Sequence, residues 1–337
     1  MRYIELQGGP REIGRRHGAA FAEDIRKYFE FYCARARKTR VSPLIRTYLE
    51  ERFPEVAEEI EGIGEGAGLS YEQMLAYNHF NVIAGCTPIF FSHSDVGPLL
   101  AQNLDCEREE LDAAVVRNVI PDKGNAYLGV SFVGTVWVGN WINQEGVARA
   151  AVSAHHHPYR TDDGTSMAII DRVAAQYASS LDEAFEIYRS QRCVGKVGVF
   201  LMADADGHAF MMEGNADQRW RMDVTGEFAF TTGLFTSGKV EAQDEPDYLR
   251  PKYARKETID RLYRNGQIEF TLDGMKRLLA HHAEDPGSVC RHNRSQGQTT
   301  QSGRIMVPAY RKMYITEGPP CTAVFEEFEL KSDWGSD

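Results

Sequence analysis

The spacing of apolar residues changes near Asn81, and that change constrains the fold more than any other feature of the chain. Before it, residues 12–37 and 43–63 carry apolar side chains every three to four positions among many Glu and Arg, the period of amphipathic helices. "SYEQMLAYNHF" (70–80) opens on a capping serine and predicts a third helix, with "GIGEGAGLS" (62–70) as the loop before it. After it, from 83 to 214, strand patterns dominate, at 86–93, 97–104, 127–139, 146–153, 197–204 and 208–214. Helices are expected at 165–178 and 181–189 within this stretch. Short strands follow at 219–224 and 228–231, then a polar loop over 235–252. Two helices (252–264 and 271–282), a final hairpin (303–328) and a frayed tail (331–337) complete the reading. Strands grouped together, with helices before, between and after them, predict an α+β fold of two sheets packed face to face under helices. The division read from the chain is a helical N-terminal segment (1–85), a core (86–330) and the tail.

With 42% hydrophobic and 26% charged residues, the 337-residue chain has material for a packed core. Its net charge of −11 argues against a nucleic-acid partner. No apolar leader is visible at the N-terminus, and no run approaches the length of a membrane span, so a soluble cytoplasmic protein without a membrane partner is expected. No Gly-rich loop joins a strand to a helix as nucleotide folds require. The six cysteines (33, 86, 106, 193, 290 and 321) show no compact spacing, so neither a zinc cluster nor a disulfide framework is suggested and no metal is assigned. The run His155–His157 would put His155 and His157 on one side of a strand and His156 on the other. No ligand-spaced partners accompany it, and it reads as a loop lining or covering a pocket. His281 and His282 end a helix, where a cation suits the dipole. His17 reads as structural.

The most informative stretch is "AGCTPIFFSHSDVGPLLAQNLD" (84–105), a strand, a turn and a second strand that begins on Gly-Cys-Thr. A thiol is nucleophilic only as thiolate, so a group must take its proton. A histidine usually serves. The cysteine's own α-amine, with a pKa of roughly 7.7–8.0, serves equally if the preceding bond is broken. Gly85 gives that bond the backbone freedom an attack by Cys86 Sγ on the Gly85 carbonyl needs. Cleavage there would yield residues 1–85 and a second piece starting with Cys86.

On six short segments the chain resembles the N-terminal-nucleophile hydrolases of the acyl-coenzyme A:6-aminopenicillanic acid acyltransferase type, distantly similar to bile salt hydrolases and penicillin V acylases. The segments are "GPREIGRRHG" (9–18), "GCT" (85–87), "QNLD" (102–105), "INQEGVA" (142–148), "SVCRHN" (288–293) and "ITEGPPC" (315–321), in the family's order. The resemblance implies a four-layer αββα sandwich of two antiparallel sheets. It implies self-cleavage between Gly85 and Cys86, then acyl transfer from a linear or cyclic amide through a thioester on Cys86. It makes Cys86 the nucleophile, its amine the base, Asp105 the group that orients the amine, and Asn103 a keeper of site geometry. Oxyanion donors fall on the backbone near Ala154 or His155 and, where the family has Asn, on Thr232. Gly297 aligns with the family's site arginine, leaving Arg294 or Arg291 to substitute. Thr87, His155 and His157 are substrate-pocket candidates. No cofactor is implied, although acyl-coenzyme A is a possible co-substrate, and the partners are a small amide or peptide and the chain's own two fragments. Two other readings stand beside this one: a non-catalytic protein that keeps the fold for binding or regulation, and a metal-dependent hydrolase built on the histidine run.

Overall fold

Two sheets, of eight and six strands, face each other across the centre of the molecule in the computed structural model. It describes residues 1–36, 40–79, 85–106, 111–157, 160–243, 245–292 and 299–332. In chain order the elements are β1 (Tyr3–Gly8), α1 (Pro10–Ala20), α2 (Ala22–Ala36), α3 (Pro43–Arg52), α4 (Pro54–Ala67), α5 (Tyr71–Tyr77), β2 (Gly85–Phe91), β3 (Leu99–Cys106), β4 (Ala114–Pro121), β5 (Tyr127–Phe132), β6 (Asn140–Asn143) and β7 (Ala148–Val152). Then come β8 (His156–His157), β9 (Thr165–Ser166), α6 (Met167–Tyr177), α7 (Leu181–Arg189), β10 (Cys193–Val194), β11 (Val199–Ala203), β12 (Ala209–Gly214), β13 (Arg219–Asp223) and β14 (Phe228–Phe230). Last are β15 (Glu241–Ala242), α8 (Pro246–Arg264), α9 (Leu272–Leu279), β16 (Thr299–Val307), β17 (Lys312–Thr316) and β18 (Phe325–Glu329).

The larger sheet runs β1-β4-β5-β6-β7-β11-β12-β13 and the smaller β14-β2-β3-β16-β17-β18. Both are antiparallel except that β1 joins β4 in parallel. Alternation along the strands builds the layers. Phe90, Leu100 and Met306 of the smaller sheet meet Val116, Leu128 and Leu201 of the larger one between the sheets. The outer face of the larger sheet (Val119, Trp141, Phe200) is covered by α6 and α7 through Ile170, Ala174 and Leu181. The outer face of the smaller sheet (Ile89, Leu99, Ile305) is covered by α8 and α9 through Leu262, Met275 and Leu279. The order is helix, sheet, sheet, helix: the four-layer α+β sandwich expected from the sequence.

Several local readings differ from the structure. Residues 1–85 are not all helical, because β1 forms an edge of the larger sheet. β4, where no strand was read, is buried on both faces and shows no alternation. The strand read over 127–139 ends at Phe132, and the chain turns at Gly134 (φ 80°) before β6. The last hairpin is three strands, and α8 begins within the supposed loop 235–252. The glycines of 62–70 do not make a loop up to Ser70, since α4 continues to Ala67. A Cβ on Gly62 would sit 2.2 Å from the Arg11 carbonyl oxygen, and one on Gly14 would sit 2.1 Å from that of Glu59. These glycines let α1 and α4 cross backbone to backbone.

Buried polar groups tie the N-terminal helices to the core. Glu59 on α4 accepts from Arg117 Nη2 of β4 (2.6 Å) and from Arg172 Nε of α6 (2.8 Å), and all three side chains are fully buried. Burial drives the His17 pKa well below its usual value, so its neutral ring accepts the Gly134 N–H at 3.1 Å. Among the described residues no helix is long and apolar enough to cross a membrane.

Candidate active site

Cys86 is the second residue of β2, and its pleat position puts the thiol between the sheets. It packs with Leu104, Cys106, Val152, Ala154 and Val199 where the smaller sheet meets β7 and β11. A cavity of about 120 Å³ opens beside it. Its apolar wall is Phe132, Trp137, Phe200, Val152 and Met167. Its polar wall is Cys86, Gln102, Asn140, Arg304 and the pair Arg149–Asp171.

A directed chain of hydrogen bonds ends on the sulfur. Arg304 stands opposite Gln102 in the β16–β3 ladder. A guanidinium has donors only, so Asn140 must turn its oxygen to Arg304 Nη1 (2.8 Å). Asn140 Nδ2 then donates to Gln102 Oε1 (3.0 Å), which also takes the Ala151 N–H (2.8 Å). That leaves Gln102 Nε2 to donate to Cys86 Sγ at 3.1 Å. The charge on Arg304 thus fixes both amides and polarises the chain toward sulfur. Arg304 is fully buried, and its Nε and Nη2 have no hydrogen-bond partner. Burial lowers its pKa to about 10, so it stays charged at neutral pH.

Burial and then the Asp105 charge push the Cys86 thiol up to about 12, against the opposing effects of Arg304, a backbone hydrogen bond from Asp105, and Arg255. In the intact chain Cys86 is therefore a thiol, not a thiolate. Among the described residues that line the cavity there is no histidine to act as its base.

Asp105 lies on the other face of β3, opposite Gly85 in the β2–β3 ladder. Its carboxylate is fully buried and held by Arg255 Nη1 (2.9 Å), Arg291 Nη1 (3.3 Å) and Thr300 Oγ1 (2.7 Å). Asn103 shares that face and donates to the carbonyls of Leu279 (2.7 Å) and Val289 (3.0 Å), fastening the end of α9 and the following loop to the sheet. Thr87 pairs with Asn103 in the ladder, and its buried hydroxyl has no partner. It points away from the cavity by the period-two pleat, as do Asn103 and Asp105.

β14 runs along β2, and the Thr231 N–H donates to the Pro88 carbonyl. Continuing that register brings Thr232 level with Thr87. Its hydroxyl is buried and unpartnered. His155 and His157 do not line the cavity. His155 stacks edge-on with Tyr248 (5.7 Å between ring centres), and His157 lies 3.6 Å from Glu241. The run is a short strand rather than a loop at 156–157, and His156 turns inward to accept the Val197 N–H (3.0 Å). Arg294 and Gly297 lie outside the described residues.

Gln102, Asn140 and Arg304 were not singled out from sequence. The period-two rule carried a signal for Gln102, which shares a strand face with Leu104 beside Cys86. The signal for Arg304 was a charge opening the apolar run "RIMV".

No family model matches the chain. The acyl-coenzyme A:6-aminopenicillanic-acid-acyltransferase 40 kDa form of Emericella nidulans is 25% identical over 339 residues, covering 89% of this chain and 88% of that protein. Among solved structures, the conjugated bile acid hydrolase of Clostridium perfringens aligns with a TM-score of 0.47 at 11% identity, over 75% of this chain and 99% of its own. Penicillin V acylase from Agrobacterium tumefaciens aligns at 0.44 and 11%, over 69% and 83%. Over most of its length the chain is thus similar in sequence to that fungal acyltransferase, and its own architecture is two facing sheets between helical layers.

Proposed function

We propose that the protein cleaves itself between Gly85 and Cys86 and then uses Cys86 to take an acyl group from an amide. The observation that carries this reading is the hydrogen-bond chain from Arg304 through Asn140 and Gln102 to Cys86 Sγ, at the wall of a cavity whose described lining residues offer no histidine. In the first reaction Sγ attacks the Gly85 carbonyl carbon. The Gly85–Cys86 C–N bond breaks, the nitrogen takes the thiol proton and becomes the α-amine, and water hydrolyses the resulting thioester. The freed amine then supplies a base that the described lining residues of the intact chain do not offer.

In the second reaction the amine takes the Sγ proton, sulfur attacks the substrate carbonyl, and the same proton leaves with the departing amine. Gln102 Nε2 stabilises the thiolate. The unpartnered nitrogens of Arg304 are donors available to a carbonyl oxygen in the cavity. Water completes the turnover as hydrolysis. A second amine in its place would make the enzyme a transferase, and an acyl thioester such as acyl-coenzyme A is an alternative donor to Cys86. The aromatic wall of Phe132, Trp137 and Phe200 favours an apolar acyl group.

Mixing the cleaved protein with a panel of N-acyl amides and quenching in acid tests this. A mass increment equal to one acyl group on the Cys86 peptide is expected with at least one apolar acyl amide. Turnover that persists undiminished in Cys86→Ala would contradict it.

A further inference from the structure

The segments "SVCRHN" and "ITEGPPC" lie far apart in sequence, but the fold brings their cysteines and one histidine together with the histidine that follows α9. The ligand atoms of His282, Cys290, His292 and Cys321 all lie within 4.8 Å of one another. His292 Nε2 is 3.2 Å from His282 Nε2, 3.2 Å from Cys321 Sγ and 3.5 Å from Cys290 Sγ. A single ring nitrogen has one proton or one lone pair and cannot serve three hydrogen-bond partners at once. A vertex of a tetrahedron is near-equidistant from the other three. With Zn–N of about 2.0–2.1 Å and Zn–S of about 2.3 Å, tetrahedral geometry needs roughly 3.3 Å between nitrogens and 3.6 Å between nitrogen and sulfur. The observed separations fall within a few tenths of an ångström of those values.

We propose that His282, Cys290, His292 and Cys321 form a structural Cys2His2 site for a tetrahedral divalent cation, zinc above all. Two thiols and two imidazoles are the donor set that a borderline-soft cation takes, and four protein ligands leave no open position for chemistry. The backbone holds the ligands in two separately formed turns. The His281 carbonyl accepts the N–H groups of Val289 (3.1 Å) and Cys290 (3.0 Å), and the Pro319 carbonyl accepts those of Thr322 (3.1 Å) and Ala323 (2.9 Å) around Cys321. The ion would join these turns. Arg291, which clamps Asp105, lies between two of the ligands, and Asn103 holds the Val289 carbonyl one residue before the first cysteine. The metal would therefore brace the outer face of β3 behind the cleavage site while taking no part in the acyl chemistry.

The test is metal analysis of the whole protein, purified without chelator, loaded with Zn²⁺ and desalted, beside His282→Ala and Cys321→Ser. Neither His282 nor Cys321 is fully buried, so these variants should fold. About one zinc per chain is expected in the parent, with at least a tenfold lower content in each variant. Cobalt loading should give intense visible bands of a tetrahedral site and thiolate-to-metal charge transfer, both lost in Cys321→Ser. Overturning results are zinc below a tenth per chain in the loaded parent, equal zinc in parent and variants, or a Cys290–Cys321 disulfide in protein isolated without reductant.

Discussion

At the scale of the residue, burial keeps the Cys86 thiol protonated in the intact chain. A thiol held up at about 12 is ionised in roughly one molecule in ten thousand at pH 8. In a partly processed sample treated with iodoacetamide at pH 8, alkylated Cys86 is therefore expected in cleaved molecules and not in intact ones. Equal labelling in both would mean that the intact chain already activates its thiol. Gln102 carries the donor end of the chain to sulfur. A hydrogen bond to a charged group contributes about 1.5–3 kcal/mol, so Gln102→Leu is expected to lower kcat/KM about 10- to 100-fold with the fold intact by circular dichroism. Cys86 and Asp105 could be singled out as candidates because they sit in short ordered segments whose residues are adjacent in sequence. Arg304 could not, because its partner Gln102 is some two hundred residues away. Only the β3–β16 register brings the two side by side.

At the scale of the element, the crossing of α1 and α4 is the sharpest constraint. Gly14 and Gly62 place each backbone against the other, with no room for a methyl group. Gly14→Ala and Gly62→Ala are each expected to cost at least about 1–3 kcal/mol, the usual penalty of overpacking, against a helix-propensity gain below about 1 kcal/mol. Urea unfolding would show this as a lower midpoint at unchanged slope. An unchanged or higher midpoint would mean that the helices can part freely. Sequence reading mistook this crossing for a loop because glycine signals both. The difference lies in the partner helix, which a local window does not contain. β4 was hidden for a related reason: buried on both faces, it has no alternation to read. The helix at 181–189 was legible because it buries one side only, through Leu181, Ala184 and Tyr188.

At the scale of the whole molecule, cleavage after Gly85 should not separate the two pieces. β1 hydrogen-bonds to β4 along six residues, and Glu59 is the buried counterion of Arg117 and Arg172 across the prospective cut. Removing one partner of a buried ion cluster costs about 3–5 kcal/mol, so Glu59→Gln is expected to destabilise the protein by that order. The cleaved protein should elute as one species of full mass on native size exclusion and split into two in denaturant. Elution of the 86–337 piece alone would contradict this. The layer order was legible in the sequence because grouped strands and flanking helices have few ways to bury their apolar faces. The mixed membership of the larger sheet was not, since a six-residue first strand gives no sign of which strand it will join.

The most direct test of the account is intact mass under denaturing conditions, the wild-type protein beside Cys86→Ala. The account predicts two fragments meeting at Gly85/Cys86 in the wild type and one full-length species in the variant. A single full-length species in both would contradict it and leave a protein that keeps the fold without the self-cleavage.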